Sequence, residues 1–234
     1  MTTSTPQLLG EIVDSYASPR PRRVTLEGRI ISLVPLDAVE HLNSLWSCTG
    51  GPQNEHLWTY MFEDHFQNKA SFESYLQRLE ESNDPLYFSI IENASGDALG
   101  WAAYMRMEPL QRVLEVGSIM YSSRLQRTVG ATEAMYLMAK HAFDDMGYRR
   151  YEWKCDALNM PSRRAALRLG FTYEGLFRQH MIVKGRNRDT AWYSMLDSEW
   201  PLRRRAFEQW LDPSNFDVNG KQRISLSELN HVNQ

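Results

Sequence analysis

The pattern of apolar and polar residues predicts alternating groups of strands and helices. Short runs in which apolar and polar residues alternate predict strands, and apolar residues at every third or fourth position predict helices. Clusters of Gly, Pro, Asn and Ser separate these runs and mark turns. The predicted strands are residues 29–35, 86–91, 99–107, 113–120, 150–155, 177–183 and 190–196. The predicted helices are residues 37–46, 69–81, 131–146, 161–169 and 201–211.

The order of these elements favours a mixed sheet, of α+β (mixed α/β) class. Residues 86–120 contain three strands joined by short links, which is typical of an antiparallel meander. Residues 113–155 read strand, helix, strand, and a unit of this length gives a parallel, right-handed crossover. The last two strands form a hairpin around residues 184–189. We expect a twisted, mostly antiparallel sheet of about seven strands with helices on both faces.

The two ends of the chain differ from its middle. Residues 1–23 combine Pro, Ser and Thr with three arginines and lack a sustained period, which predicts an arm with one helical turn over residues 8–13. Residues 201–234 predict an amphipathic helix that buries Trp210, then a polar tail. The helix either covers the sheet edge or pairs with a second copy. We expect an arm at 1–23, one domain at 24–200, and a C-terminal helix and tail at 201–234.

Composition narrows the class of protein. The 234 residues are 42% hydrophobic, enough for one full core, and the net charge of −3 offers no positive field for nucleic acid or an anionic membrane. No apolar run nears the ~18 residues that span a bilayer, and no secretory leader pattern is present. Two cysteines are too few for a disulfide framework or a zinc site. We expect a cytoplasmic monomer or homodimer that holds no metal.

Residues 216–220 are similar to the start of a calcium-binding loop. When Gly220 is aligned with the invariant glycine of such a loop, Glu228 falls two positions too late to be the bidentate ligand. Because that carboxylate is the ligand a calcium site needs most, we expect an ordinary turn here.

The loop at residues 126–131 lies between a predicted strand and a predicted helix. The first N–H groups of a helix lack partners and carry the positive end of its dipole, so such a loop attracts anions. Gly130 and Ala131 are small enough for close approach, and Arg124 and Arg127 add positive charge. The loop lacks the Gly-Lys-Ser/Thr of nucleotide hydrolases. Taken alone, it is either a phosphate site or an ordinary helix entry.

Together with residues further along the chain, this loop resembles the GNAT acetyltransferase superfamily, in particular its RimJ/RimL-type branch. The resemblance covers roughly residues 24–200. It implies a GNAT-like fold in which strand 114–120 carries a bulge and splays from strand 150–155 at the centre of the sheet. The motifs that carry it are Glu115-Val116-Gly117, Gln126-x-x-Val129-x-Ala131, Thr132-Glu133-Ala134, Asn159-x-x-Ser162 and Leu169-Gly170-Phe171.

The resemblance also implies that the cosubstrate is acetyl-coenzyme A and which residues bind it. The loop amides would hold the pyrophosphate, the end of strand 114–120 the pantetheine arm, and Asn159 that arm from the other side. Val129 stands where the family usually has a glycine, so phosphate binding requires that Val129 adopt no positive φ. The expected cofactor-binding residues are Ile119, Met120, Tyr121, Gln126, Arg127, Thr128, Val129, Gly130, Ala131, Thr132, Asn159 and Ser162.

The implied reaction is direct transfer of acetyl to a primary amine, on a protein N-terminus or a small molecule, within a ternary complex. An amine attacks only when neutral, so the site needs a base. Glu115 is the first candidate, and an ion pair with Arg106 or Lys154 is its structural alternative. Ser162 either hydrogen-bonds the leaving thiolate or caps a helix. His180 is a second candidate base because its ordinary pKa near ~6.5 suits proton removal, or it is structural.

Three departures from the family pattern motivate a second hypothesis. Val129 replaces a glycine, Ala166 stands where many relatives carry an acid tyrosine, and Met181 stands where some RimL-type proteins carry a glutamate. A non-catalytic regulatory module that binds acyl-coenzyme A would tolerate these changes. A scaffold that binds no ligand is a third, weaker option.

Three other features have both a structural and a functional interpretation. The aromatic segment 58–66 is expected in the core, with ligand binding as the alternative. Cys155 is expected in the core because no His and acid partner accompanies it. The basic residues Lys184, Arg186 and Arg188 are expected at a solvated hairpin tip, with recognition of an acidic acceptor as the alternative.

Overall fold

The computed structural model describes residues 7–232 and contains an eight-stranded sheet. Turns of 3-10 helix lie at Pro52–Trp58 and Pro213–Asn215, and a π-helical turn lies at His141–Asp145. The strands are β1 (Leu26–Glu27), β2 (Ile31–Pro35), β3 (Leu86–Glu92), β4 (Ala98–Glu108), β5 (Val113–Tyr121), β6 (Arg150–Asp156), β7 (Thr172–Val183) and β8 (Arg186–Leu196). The helices are α1 (Leu42–Thr49), α2 (Lys69–Glu81), α3 (Val129–Lys140), α4 (Met160–Arg168), α5 (Trp200–Leu211) and α6 (Leu226–Val232).

The strands follow the order β1-β2-β3-β4-β5-β6-β8-β7. Among the strands of residues 7–232, only β5 and β6 pair in parallel, and α3 connects them; every other neighbouring pair is antiparallel. The predicted mixed, mostly antiparallel sheet is therefore confirmed. The eighth strand is β1, which has two residues and carries too little pattern to be recognised in the sequence.

The parallel strands β5 and β6 part at the middle of the sheet. Their pairing runs from Val113 opposite Arg150 to Val116 opposite Trp153 and then stops, although both strands continue. On the other side of β5, residues 118 and 119 face a single residue of β4. Ser118 takes up this extra residue with a φ of 49°. The predicted bulge and splay are confirmed.

Apolar side chains pack into two clusters. The larger contains α3, α5 and alternate residues of β5, β6 and β8, such as Leu114, Val116 and Tyr151. The smaller contains α2 and the aromatic side chains of Trp58 and Trp101. Because successive strand residues point to opposite faces, the polar residues between those of the larger cluster face away from it. Glu115 is one of these polar residues.

The N-terminal arm lies along the end of the domain without forming a helix. Residues 7–22 contain no helical turn, so the prediction for residues 8–13 is wrong. Leu8 and Ile12 are fully exposed, and a lone turn with no apolar face to bury is unstable in water. Further along, the Ser18 hydroxyl donates to the Gly147 carbonyl at 3.0 Å, and Tyr148 donates to the Pro19 carbonyl at 3.1 Å. Residues 1–6, the first part of the predicted arm, lie outside the described residues.

The C-terminal region holds one confirmed and one missed helix. Helix α5 buries Trp210, as predicted. The segment predicted to be a polar tail contains α6, whose Leu226 and Leu229 are buried. Within residues 216–221, the Asp217 carboxylate accepts from the N–H groups of Asn219 and Lys221, each at 2.9 Å, and forms a turn.

Two local predictions are corrected by side-chain contacts. Helix α1 begins at Leu42 rather than near Asp37, because the Asp37 carboxylate accepts from the N–H groups of Val39 and Glu40 and forms a separate turn. The last hairpin turns at residues 184–185, so Arg188 belongs to β8 instead of a solvated tip. The side chain of Arg188 is 9% exposed.

Candidate active site

A cleft of about 940 Å³ opens where β5 and β6 part. Its walls come from the second half of β5, the end of β6, the first turn of α3, helix α4 and the segment 56–62. All of the predicted cofactor-binding residues line it except Gly130. A side chain at Gly130 would place its Cβ 2.8 Å from a methyl carbon of Ile31, so this glycine lets α3 pack against β2. The residues that the sequence singled out are thus brought to one place.

The first turn of α3 presents its N–H groups to the cleft without needing a glycine at position 129. Thr128 caps the helix, and its hydroxyl accepts from the Ala131 N–H at 3.1 Å. Val129 is the first helical residue, and the positive φ in this loop, 63°, falls on Arg127. The condition that the sequence placed on Val129 is therefore met.

Substitution of Val129 by glycine (V129G) checks this interpretation of the loop. We expect the dissociation constant for coenzyme A to change less than ~2-fold and the free energy of unfolding to fall by ~0.5–1 kcal/mol, because glycine weakens the helix start. Titration calorimetry and urea unfolding measure the two quantities, with V129A as the control. Binding that becomes more than ~10-fold tighter would mean that valine distorts the loop.

The cations around the α3 start differ from those that the sequence indicated. The Arg124 guanidinium binds Asp97 at 2.8 Å and Glu92 at 3.0 Å and does not line the cleft. Arg127 lines it, as does Arg168. Arg168 donates to the Thr132 hydroxyl at 3.0 Å and lies 4.7 Å from the Trp210 ring centre. The position of Arg168 in the cleft depends on its contact with Trp210 of α5, more than thirty residues later, and no local pattern in the sequence signals this contact.

Glu115 lies in a row of charges that crosses the sheet, in which Glu115 and Lys154 have buried side chains and Arg106 is exposed. Its carboxylate is 2.8 Å from the Arg106 guanidinium and 3.0 Å from the Lys154 ammonium, so both predicted ion pairs are present. Lys154 also contacts the Glu152 carboxylate at 2.6 Å and lies over the Trp192 ring. Burial raises the pKa of Glu115, and the two cations oppose that rise.

The Glu-Val-Gly sequence of β5 has a steric reason. A Cβ on Gly117 would lie 3.1 Å from a carboxylate oxygen of Glu115 and 2.5 Å from the sulfur of Met105. The glycine therefore leaves room for the carboxylate two residues before it. Gly117 and Glu115 both line the cleft.

Asn159 and Ser162 meet at the start of α4, on the other wall of the cleft. The Asn159 side-chain oxygen accepts from the Ser162 N–H at 3.1 Å and caps the helix. The Ser162 hydroxyl oxygen accepts from the Trp153 indole at 3.0 Å, which leaves its hydrogen available to donate. Cys155 beside it is buried, as expected, and burial raises the pKa of its thiol. No pattern in the sequence signals the role of Trp153.

His180 lies apart from this group. Its Nδ1 is 2.9 Å from the Thr190 hydroxyl, and its ring packs edge-on against Phe177 and Trp192. Partial burial and the cations Arg106, Arg188 and Lys154 lower its pKa. The residue does not line the cleft, and its contacts favour the structural alternative; its role as a base stays a prediction.

The aromatic segment divides between the core and the cleft. Trp58 is buried in the smaller cluster, whereas Tyr60 and Phe62 line the cleft. The Tyr60 hydroxyl donates to the Leu158 carbonyl at 3.1 Å, and the Lys184 ammonium donates to the Trp58 carbonyl at 2.8 Å. These bonds join the segment to the loop before α4 and to the turn between β7 and β8.

Within residues 7–232, no group of three or more His, Cys, Asp or Glu side chains is arranged to hold a metal ion. In the same part of the chain, none of the helices has the length and apolar character needed to cross a membrane.

Sequence and structure comparisons agree with this geometry. The sequence profile of the acetyltransferase (GNAT) domain matches residues 32–172. The chain belongs to the GNAT acetyltransferases. It is similar to a solved GCN5-related N-acetyltransferase from Brucella melitensis, with 46% identity and a TM-score of 0.90 over 92% of this chain and 98% of the other. It is also similar to a solved probable acetyltransferase of the GNAT family from Chromobacterium violaceum, with 36% identity and a TM-score of 0.74 over 86% of this chain and 98% of the other. The comparison with curated proteins found no match.

Acetyl-coenzyme A is the cosubstrate of GNAT acetyltransferases, and the cleft fits it. The parted strands leave unpaired backbone on β5 for the pantetheine arm, and the first turn of α3 offers N–H groups to the pyrophosphate. A more distant GNAT structure, the microcin C7 self-immunity acetyltransferase MccE, is a complex with acetyl-coenzyme A and AMP. It is 21% identical, with a TM-score of 0.64 over 72% of this chain and 93% of that one, and it shares the fold.

Proposed function

We propose that this GNAT acetyltransferase is an N-acetyltransferase of the RimJ/RimL-type branch. It moves acetyl to a primary amine by direct transfer in a ternary complex. The observation that carries the proposal is that Glu115 and Ser162 line the same cleft, on opposite sides of the gap between β5 and β6. A proton acceptor and a hydrogen-bond donor for the leaving sulfur are the two groups that this reaction needs.

Glu115 acts as the base in this proposal. Acetyl-coenzyme A supplies the activated acetyl group, and the acceptor nitrogen must lose a proton to bond to it. Glu115 takes that proton directly or through one water. Because burial raises its pKa, the carboxylate is a better proton acceptor than an ordinary glutamate at neutral pH. Arg106 and Lys154 hold the carboxylate in place.

The residues at the starts of α3 and α4 bind the cosubstrate. The first turn of α3 and Arg127 hold the pyrophosphate, and the free amide hydrogens of Asn159 bind the pantetheine arm. Ser162 donates its hydroxyl hydrogen to the sulfur as negative charge develops there. Trp153 orients that hydroxyl by occupying its oxygen.

The test is to incubate the purified protein with saturating acetyl-coenzyme A and a panel of primary amines. We expect free thiol and acetylated amine to appear in equal amounts, well above the rate of hydrolysis without amine. Cosubstrate binding with no thiol release above hydrolysis for any amine would refute the proposal.

Substitution of Ser162 by alanine (S162A) tests the role of the hydroxyl. We expect kcat to fall by ~10-fold, since one donor to the developing charge is lost, while KM for acetyl-coenzyme A stays within ~2-fold. S162T keeps the hydroxyl and is expected to recover most of the rate. If kcat is unchanged in S162A, the hydroxyl does not assist the leaving sulfur, and its bond to Trp153 is its only role.

A second candidate function, a non-catalytic acyl-coenzyme A binding module, is favoured by one observation. Both cations near Glu115 contact the same carboxylate oxygen, as expected of a structural ion-pair network. This candidate predicts cosubstrate binding without turnover, and the amine panel separates the two.

A further inference from the structure

Arg188 is a buried cation in the wall of the cleft. It lies on β8 opposite Met181 of β7, is 9% exposed, and lines the cleft together with Arg106 and Glu115. Its guanidinium carbon is 5.2 Å from the centre of the Phe62 ring. The aromatic face stabilises the cation and orients the plane of its guanidinium group.

No anion of the described residues neutralises this guanidinium. Among residues 7–232, no hydrogen bond or ion pair reaches it, and its Nε is fully buried without a partner. Asp156 and Glu115 act on it only at longer range, and burial lowers its pKa. The equally buried Arg112 differs, because its guanidinium donates to the Asp14 carbonyl. Arg203 donates to the Asn230 carbonyl, although its Nε also lacks a partner. An unpaired buried charge is costly, so its presence in a cleft points to an anion from a ligand.

The neighbouring charges indicate which anion fits. Arg106 and Lys154 are already bound to Glu115, and Lys184 is 3.3 Å from the Asp64 carboxylate. Arg127, Arg164 and Arg168 also line the cleft, from the loop before α3 and from α4. On the strands of the described sheet, Arg188 is the lining cation that has no partner, and its guanidinium matches a planar carboxylate through two parallel hydrogen bonds.

The burial of the two groups indicates the size of the ligand. Arg188 and Glu115 are 9% and 3% exposed, and the Phe62 ring lies against the guanidinium. A ligand that contacts both groups must therefore enter the cleft, which suits a small molecule better than a folded polypeptide.

We propose that the acceptor is a small primary amine that also carries a carboxylate, and that Arg188 binds this carboxylate while Glu115 receives the proton of the amine. This inference rests on the proposed acetyl transfer to an amine. It makes Arg188 a specificity-determining residue, since the same amine without its carboxylate leaves the guanidinium unpaired.

The experiment compares kcat/KM for glycine, 3-aminopropanoate, 4-aminobutanoate and larger L-amino acids with kcat/KM for their primary amides. Each value is corrected for the fraction of neutral amine. For the best pair we expect the carboxylate to be preferred by ~30-fold over the amide, as for a hydrogen-bonded charge pair. In R188Q the preference should fall to within ~3-fold, and in R188K it should be intermediate because the charge remains without the planar fork.

R186Q is the matched control, because Arg186 is an exposed cation on the same strand and does not line the cleft. It should keep the full preference. A wild-type enzyme that uses amides and carboxylates equally well, or an R188Q enzyme that keeps the preference, overturns the inference while acetyl transfer stands. Failure of every amine of both kinds, with acetyl-coenzyme A still bound, refutes the proposed function and this inference together.

Discussion

Replacement of Glu115 by glutamine (E115Q) is expected to lower kcat by ~10²–10³-fold, because the acceptor amine loses the group that takes its proton. Glutamine keeps nearly the same shape, so Gly117 still leaves room for it. The dissociation constant for acetyl-coenzyme A should stay within ~3-fold, since the cosubstrate contacts expected on β5 begin at Ile119, beyond Glu115. Steady-state kinetics and titration calorimetry give the two quantities.

The pH profile identifies the proton acceptor. Burial raises the pKa of Glu115, and a base works only when deprotonated, so wild-type kcat/KM should fall as pH drops through a value above the ordinary range of a glutamate. E115Q should lack this limb and keep the limb that belongs to the acceptor amine. E152Q is the matched control: Glu152 binds the same Lys154 and does not line the cleft, so kcat should change less than ~3-fold. An E115Q enzyme with the wild-type rate and profile would assign Glu115 a structural role.

Replacement of Glu133 by glutamine (E133Q) is expected to lower the free energy of unfolding by ~3 kcal/mol. The Glu133 carboxylate on α3 is 5% exposed and accepts from the N–H groups of Arg29, Ile30 and Ile31 at 3.0, 2.8 and 2.9 Å. Glutamine removes the charge and points its own NH₂ group at one of these backbone N–H groups. That backbone N–H is then buried without an acceptor.

Urea unfolding measures this change, and the melting temperature should fall by ~6–12 °C. E81Q, at an exposed end of α2, is the control and should change stability by less than ~0.5 kcal/mol. If E133Q costs less than ~1 kcal/mol, the three amides find other partners and the carboxylate is not what joins α3 to β2.

Elements with a strong local signal were predictable from the sequence. Helix α2 has the bounds that its apolar stripe indicated, since Phe72 and Leu76 recur at helical spacing and Asn68 caps the first turn by accepting from the Ser71 N–H. The β3–β4 hairpin and the parallel β5–α3–β6 unit follow from period-two alternation and connection length. The first turn of α3 was predictable from motif residues. The cap of α4 was not, because Asn159 caps this helix instead of Ser162, the residue for which a cap was the alternative.

Features that depend on distant partners were not predictable. From the sequence, Arg188 was predicted to be one of three solvated cations at a hairpin tip. Its burial depends on Phe62, more than a hundred residues earlier. Glu133 gave no sign that its carboxylate binds amides at residues 29–31. The bond from Trp153 to Ser162 exists only because β6 and α4 meet beside the cleft. In each case a tertiary contact places the polar group, and such a contact leaves no periodic trace in the sequence.

The central claim is tested most directly by measuring the binding of acetyl-coenzyme A with titration calorimetry. The measurement compares the wild type with two variants, in which Ala131 is replaced by aspartate (A131D) or asparagine (A131N). Ala131 lines the cleft in the first turn of α3, where an aspartate suits the helix dipole but repels a pyrophosphate. We predict one site per chain in the wild type, affinity reduced by at least ~30-fold in A131D, and a much smaller loss in A131N of the same shape. Absence of binding to the wild type, or equal affinity in A131D, would contradict a cosubstrate site at this cleft.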